Sequence, residues 1–177
     1  MFSVMKVLEY LANSEKKLEH YYTISKNSNY ADIAFDLIAT FSAQENHTIL
    51  TKDNVMDYSN SVEHILFKYE PVLNYAKIES YLKLMPILAT QMTKPSRYHK
   101  NTVIKLVLLT DSFNSQEDFL KSKKIVRKFH YSKAHKFYLY GWTDGYVFIE
   151  NLQTGMELKS RSMRKVSYAM LEKQIEV

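Results

Sequence analysis

The chain is 177 residues long, enough for one domain or two small ones sharing an interface, and at 46% hydrophobic and 14% aromatic it is too apolar for disorder. It has no cysteine, which excludes disulfides, thiolate zinc sites and a cysteine nucleophile, and its three glycines are too few for a phosphate-cradling or dinucleotide-binding loop. Its net charge of +5 is divided unevenly: residues 1–93 hold eight Lys/Arg against eleven Asp/Glu, and residues 94–177 hold sixteen against eight.

That asymmetry bears on partners, because charge of one sign over half a chain attracts polyanions or acidic surfaces. Twenty of the basic residues are lysines and four are arginines. Lysine is a point charge without the bidentate fork that reads guanine, so the balance favours nonspecific electrostatics. The apolar runs Val103–Leu109 and Leu82–Ala89, each broken by a lysine, fall short of the ~20 residues that span a bilayer. Lys6 and Glu9 interrupt any signal-peptide core. The expectation is a soluble, cytoplasmic protein with no membrane partner, from a bacterium or an infected host cell. Heavy Lys, Asn, Ile and Tyr use suits an AT-rich genome such as that of a low-GC bacterium or its phage.

In chain order, the first ninety residues read as a small helical bundle. Val4, Leu8 and Leu11 make one apolar stripe, and Ile33, Ala34, Leu37, Ile38 and Phe41 another. Residues 15–24 read as a further helix. Val62, Ile65, Leu66, Tyr69 and Leu73 recur at helical spacing, with Asn60 and Glu63 as a capping box and Pro71 as a kink or break. Ile78, Tyr81, Leu82 and Met85 form the last stripe, ending near Pro86. The polar stretch 93–101 is the boundary candidate, giving a slightly acidic helical bundle over 1–93 and a basic α+β region over 94–177.

Beyond the boundary, residues 102–110 read as a buried strand and 111–114 as a loop. Ser115 and Asp118 mark a helix start, and the helix runs over 116–129. Strands over 136–142 and 146–151 flank Asp144-Gly145, a two-residue hairpin signal. Gly155 turns the chain into a strand over 156–162, and a helix over 164–175 closes it. The fold class is α+β: an N-terminal helical bundle followed by a small, mainly antiparallel sheet, β-α-β-β-β-α.

The candidate site is basic and aromatic. Lys121, Lys123, Lys124, Arg127 and Lys128 crowd the 116–129 helix, Lys133 and Lys136 continue the charge, and no acid occurs between Asp118 and Asp144. Five cations on one helix can neutralise several phosphates. Alternation on the 136–142 strand would turn Tyr138, Tyr140 and Trp142 outward as a stacking platform if helices cover Phe137 and Leu139. These features lead to a non-enzymatic nucleic-acid-associated protein. The alternative is a protein–protein interaction module (a regulator, inhibitor or virion component) using its aromatic surface against an acidic partner. No cofactor or metal is expected.

Chemistry-bearing patterns are sparse. Glu157-Leu158-Lys159 with Asp144 superficially resembles the PD-(D/E)xK nucleases, but the hairpin places those acids at distant strand ends, and Thr143 stands where the family has proline. Asp32 with Asp36 and Asp53 with Asp57 are i, i+4 carboxylate pairs that read as solvated helix sides. The six histidines are dispersed, and Asp111-Ser112 follows a strand without a glycine-rich turn.

Overall fold

The computed structural model describes residues 2–48 and 55–161. Among these the order is α1 (Phe2–Leu18), β1 (Thr23–Tyr30), β2 (Ile33–Thr48), β3 (Val55–Tyr69), β4 (Val72–Leu73), α2 (Tyr75–Met92), β5 (His99–Thr110), β6 (Ser112–Phe113), α3 (Gln116–Lys128), β7 (Tyr131–Ala134), β8 (Trp142–Asn151) and β9 (Met156–Lys159). The fold is α+β, built on a mixed seven-stranded sheet. Its order is β1-β2-β3-β5-β8, with β7 and β9 both pairing the far edge of β8.

The first three strands form an antiparallel meander, and β3, β5 and β8 run parallel. Parallel neighbours need crossover connections, which α2 and α3 supply. Both helices cover one face: Ile78, Tyr81, Met85, Leu88 and Ala89 of α2 and Val126 of α3 pack on Leu66, Ile104, Leu106, Leu108, Val147 and Ile149. The opposite face belongs to α1, whose Leu18, Tyr10 and Leu11 meet Leu37, Ala39, Ile65, Phe67, Val107, Leu109 and Phe148. The central strands are therefore buried on both sides, the condition that produces near-continuous apolar runs.

Double burial overturns the N-terminal bundle. Val62, Ile65, Leu66 and Tyr69 lie on β3 and Ile33–Phe41 on β2; Asn60 and Glu63 are strand residues, not a helix cap. Ile65 and Phe67 face α1 while Leu66 faces α2, so three consecutive apolar residues imitate a helical stripe. Helix α1 ends at Leu18, residues 19–22 turn the chain, and β1 begins at Thr23 within the expected 15–24 helix. Pro71 lies between β3 and β4, and α2 continues through Pro86 to Met92. The sheet is large and mixed, and it runs through residues 93/94: Asn60–Tyr69 of β3 pairs with His99–Leu109 of β5.

In the second half β5, α3 and β9 lie where the sequence places them, but the hairpin does not. Residues 136–140 form a turn, with positive φ at Lys136, Phe137 and Tyr138, and β7 lies earlier, at 131–134. Asp144 and Gly145 sit inside β8. A Cβ on Gly145 would meet Met85 Sδ at 2.5 Å, so this glycine admits α2 to the sheet and makes no turn. The predicted 164–175 helix and the end of the 156–162 strand lie outside the described residues, as does Asp53.

Candidate polyanion interface

Ser115 caps α3, its Oγ accepting from Asp118 N–H at 3.0 Å. Glu117 and Asp118 occupy the first turn and Arg127 and Lys128 the last, the order the helix dipole favours. Ser122 and Val126 face inward, which turns the cations to the solvent side. Lys121 is drawn back toward the N-terminus by Glu117 at 2.6 Å. Lys123, Lys124, Arg127 and Lys128 instead line a groove of about 260 Å³ together with Leu120 and Arg161. Arg161 reaches it because its backbone N–H donates to the Arg127 carbonyl at 3.1 Å, docking the segment after β9 onto the last turn of α3. No carboxylate lines the groove among the described residues.

The sequence-predicted cations thus separate into four that converge, one that is ion-paired, and two elsewhere. Lys133 projects from edge strand β7, and Lys136 lies in the 136–140 turn with its Nζ 4.2 Å from the centre of the Tyr140 ring. Arg161 was not foreseen, because only the docking of β9 against α3 brings it there.

The aromatic platform is corrected. Tyr138 and Tyr140 stand in a turn, so strand alternation does not align them with Trp142. Tyr140 and Trp142 are half-buried, and the Trp142 indole N–H donates to Asp144 at 3.0 Å. Of the three rings only Tyr138 is exposed, at 67%, and Phe137 and Leu139, expected under helices, are exposed beside it at 96% and 75%. Three successive non-glycine residues in the left-handed region cost roughly 1–2 kcal/mol each. Hydrogen bonds from His135 N–H to the Gly141 carbonyl and from Tyr140 N–H to the His135 carbonyl, at 2.9 and 3.1 Å, hold the turn against that strain.

A second cleft, about 350 Å³, opens where β2, β3 and β5 meet the end of α2, lined by Ser42, Asn60, His64, Lys94, Ser96 and His99 among others. Its imidazoles are engaged. His64 lies 3.0 Å from Thr40 Oγ1 and 3.3 Å from the Met92 carbonyl. His99 donates through Nδ1 to the Tyr140 carbonyl at 2.7 Å, so its Nε2 accepts from Thr102 at 2.9 Å. Burial lowers the His64 pKa; burial, then His99 and Lys133, lower that of His135.

On the α1 face, Lys105 is almost fully buried and pairs with Glu63 at 2.8 Å, while Tyr22 donates to the same carboxylate oxygen at 2.9 Å. Asp36 accepts from Tyr69 N–H and Asp111 from Tyr69 Oη, so neither acts as a free carboxylate. The i, i+4 reading of Asp32 and Asp36 lapses, since Asp32 is in a turn and Asp36 on a strand. Glu157 faces Glu150 across β8–β9, six residues along β8 from Asp144. That is roughly 20 Å, too far for a shared metal. Among the described residues no three His, Asp or Glu side chains converge as a ligand set.

A family model described as "Domain of unknown function (DUF8052)" matches residues 6–172. The chain belongs to that family. No curated protein and no solved structure matches it. The DUF8052 match runs through both charge halves, as the sheet does. No described helix of this DUF8052 chain is long and apolar enough to cross a membrane.

Proposed function

We propose that the protein is a non-enzymatic nucleic-acid-associated protein that contacts phosphates through the α3 groove. One observation carries the reading: Lys123, Lys124, Arg127, Lys128 and Arg161 converge on a single depression that no carboxylate lines among the described residues. Like charges held together repel one another and destabilise the free protein, and a bound polyanion relieves that repulsion while releasing its own counterions. Four of the five belong to a rigid helix, so their spacing is fixed before binding. Lysine predominance favours backbone contact over base reading.

Binding of labelled single- and double-stranded oligonucleotides across a salt series tests this. Engagement of four to six phosphates gives a slope of log affinity against log salt of about −3 to −5. Lys123→Glu/Lys124→Glu/Lys128→Glu, three exposed positions, should flatten the slope and leave the circular dichroism unchanged. A wild-type protein that binds neither oligonucleotide at low salt rules the reading out.

A further inference from the structure

At the end of the β7–β8 hairpin Phe137, Tyr138 and Leu139 stand 96%, 67% and 75% exposed in one uninterrupted run. Single exposed apolar side chains are ordinary, whereas three in succession make a patch. The backbone beneath them is locked. Lys136, Phe137 and Tyr138 hold φ of 45°, 53° and 69°. Leu139 N–H donates to the Lys136 carbonyl at 3.0 Å and Gly141 N–H to the Tyr138 carbonyl at 3.1 Å. His99 fastens the Tyr140 carbonyl from the neighbouring segment.

The two segments that meet at this tip carry charge of one sign, and the nearby Asp144 carboxylate is turned to the Trp142 indole N–H. Lys133 and Lys136 belong to the hairpin; Lys94 and Arg97 belong to the segment packed against it, where Thr93 and Pro95 share a depression with Lys133 and His135. All four cations are exposed. Neither 93–101 nor 129–142 contains an Asp or Glu.

We propose that this tip docks on the surface of an anionic lipid bilayer, with Phe137, Tyr138 and Leu139 entering the headgroup–acyl boundary and the four cations meeting lipid headgroups. The mixture of side chains favours lipid over nucleic acid. Base stacking uses flat rings and leaves Leu139 nothing to bury against. An acyl layer takes any apolar shape, including one at a convex tip. The expectation of no membrane partner rested on the lack of a spanning segment, and surface docking needs none. Attachment through one loop is weak and reversible and depends on anionic lipid.

Co-sedimentation of the full chain with phosphatidylcholine vesicles, with and without phosphatidylserine, tests the proposal beside a Phe137→Ser/Leu139→Ser variant. Both positions are solvent-exposed, and circular dichroism verifies that the variant folds. The wild type should pellet with the anionic vesicles only. Trp142, whose ring centre lies 6.4 Å from that of Tyr138, should shift its emission to the blue. The variant should bind more weakly by roughly a hundredfold or more, as the loss of two buried apolar side chains requires. Equal binding by both proteins, or none by the wild type at low salt, overturns the proposal. So does a variant that keeps vesicle binding and loses single-stranded oligonucleotide, which assigns the tip to base stacking. Self-association that the variant abolishes, without vesicle binding, overturns it in favour of a second copy of the chain.

Discussion

Three glycines in 177 residues leave little room for chance placement, and each occupies a different physical situation. At Gly141 a Cβ would lie 2.5 Å from the His99 carbonyl oxygen and closer still to that of Lys100, on a backbone with φ +76°. Neither obstacle is a flexible side chain. At Gly145 the obstacle is Met85, fully buried yet able to change rotamer. At Gly155 nothing lies within 4 Å, and only φ +67° opposes a side chain. Alanine substitutions should therefore rank in that order by urea denaturation. Gly141→Ala should cost the most, about 3 kcal/mol or more; Gly145→Ala about 1–3 as an overpacked core; Gly155→Ala about 1. Adding Met85→Leu to Gly145→Ala should recover part of its loss, with no effect on Gly141→Ala. Equal costs at all three positions would discard the packing explanation for Gly145.

Elements stabilised locally could be read from sequence, and elements stabilised by the sheet could not. Helix α3 announces itself through Ser115, Asp118 and a one-sided lysine face, and β5 through an apolar run too short for a helix. Strand β3 carries no such mark. With α1 on one side and α2 on the other, its Ile65-Leu66-Phe67 run satisfies the helical template, and only β-branched and aromatic enrichment argues otherwise. The β1–β2 turn was equally hidden. Ala31 and Asp32 adopt φ +51° and +60° without the glycine that normally signals such a turn, and Gln91 of α2 accepts from Ala31 N–H at 2.8 Å. The basic groove was legible because it lies on one helix, whereas Arg161 enters through a tertiary contact. Asp118 shows how α3 is tied to its neighbour. Its carboxylate accepts from Tyr75 N–H at the start of α2, from Asn114 and from Ser115, and these bonds hold its pKa below the ordinary 3.8. A depressed folded pKa means that the unfolded chain takes up the proton first on acidification. The stabilisation is thus complete above pH 3.8 and is lost as pH falls through the folded value. Asp118→Asn should lower thermal stability at neutral pH and remove part of the loss seen on acidification. Ser115→Ala should cost about 1 kcal/mol at neutral pH and less once Asp118 is protonated, because its hydroxyl also donates to that carboxylate. An Asp118→Asn protein with wild-type melting at neutral pH would mean that the charge-assisted bonds from Tyr75, Asn114 and Ser115 contribute nothing.

At the scale of the whole molecule the charge boundary and the folding boundary are different things. The acidic and basic halves meet between α2 and β5, yet the β3–β5 ladder joins them through the middle of the sheet, and α2, from the acidic half, packs on β8 from the basic one. Leu66 in β3 and Leu106 in β5 are register partners and both fully buried, so neither half closes its core alone. The consequence is a single cooperative transition. Trp142, the one tryptophan, reports only on the basic half. Far-UV circular dichroism reports on both, because α1 and α2 lie in the acidic half and α3 in the basic one. Denaturant unfolding followed by the two signals should give coincident midpoints. Leu66→Ala should then destabilise both signals equally, by about 2–5 kcal/mol, although it lies in the other half of the chain from Trp142. Two independently folded units would give a different result: the dichroism midpoint would fall, the Trp142 midpoint would stay, and a sheet shared across residues 93/94 could not be the unit of stability.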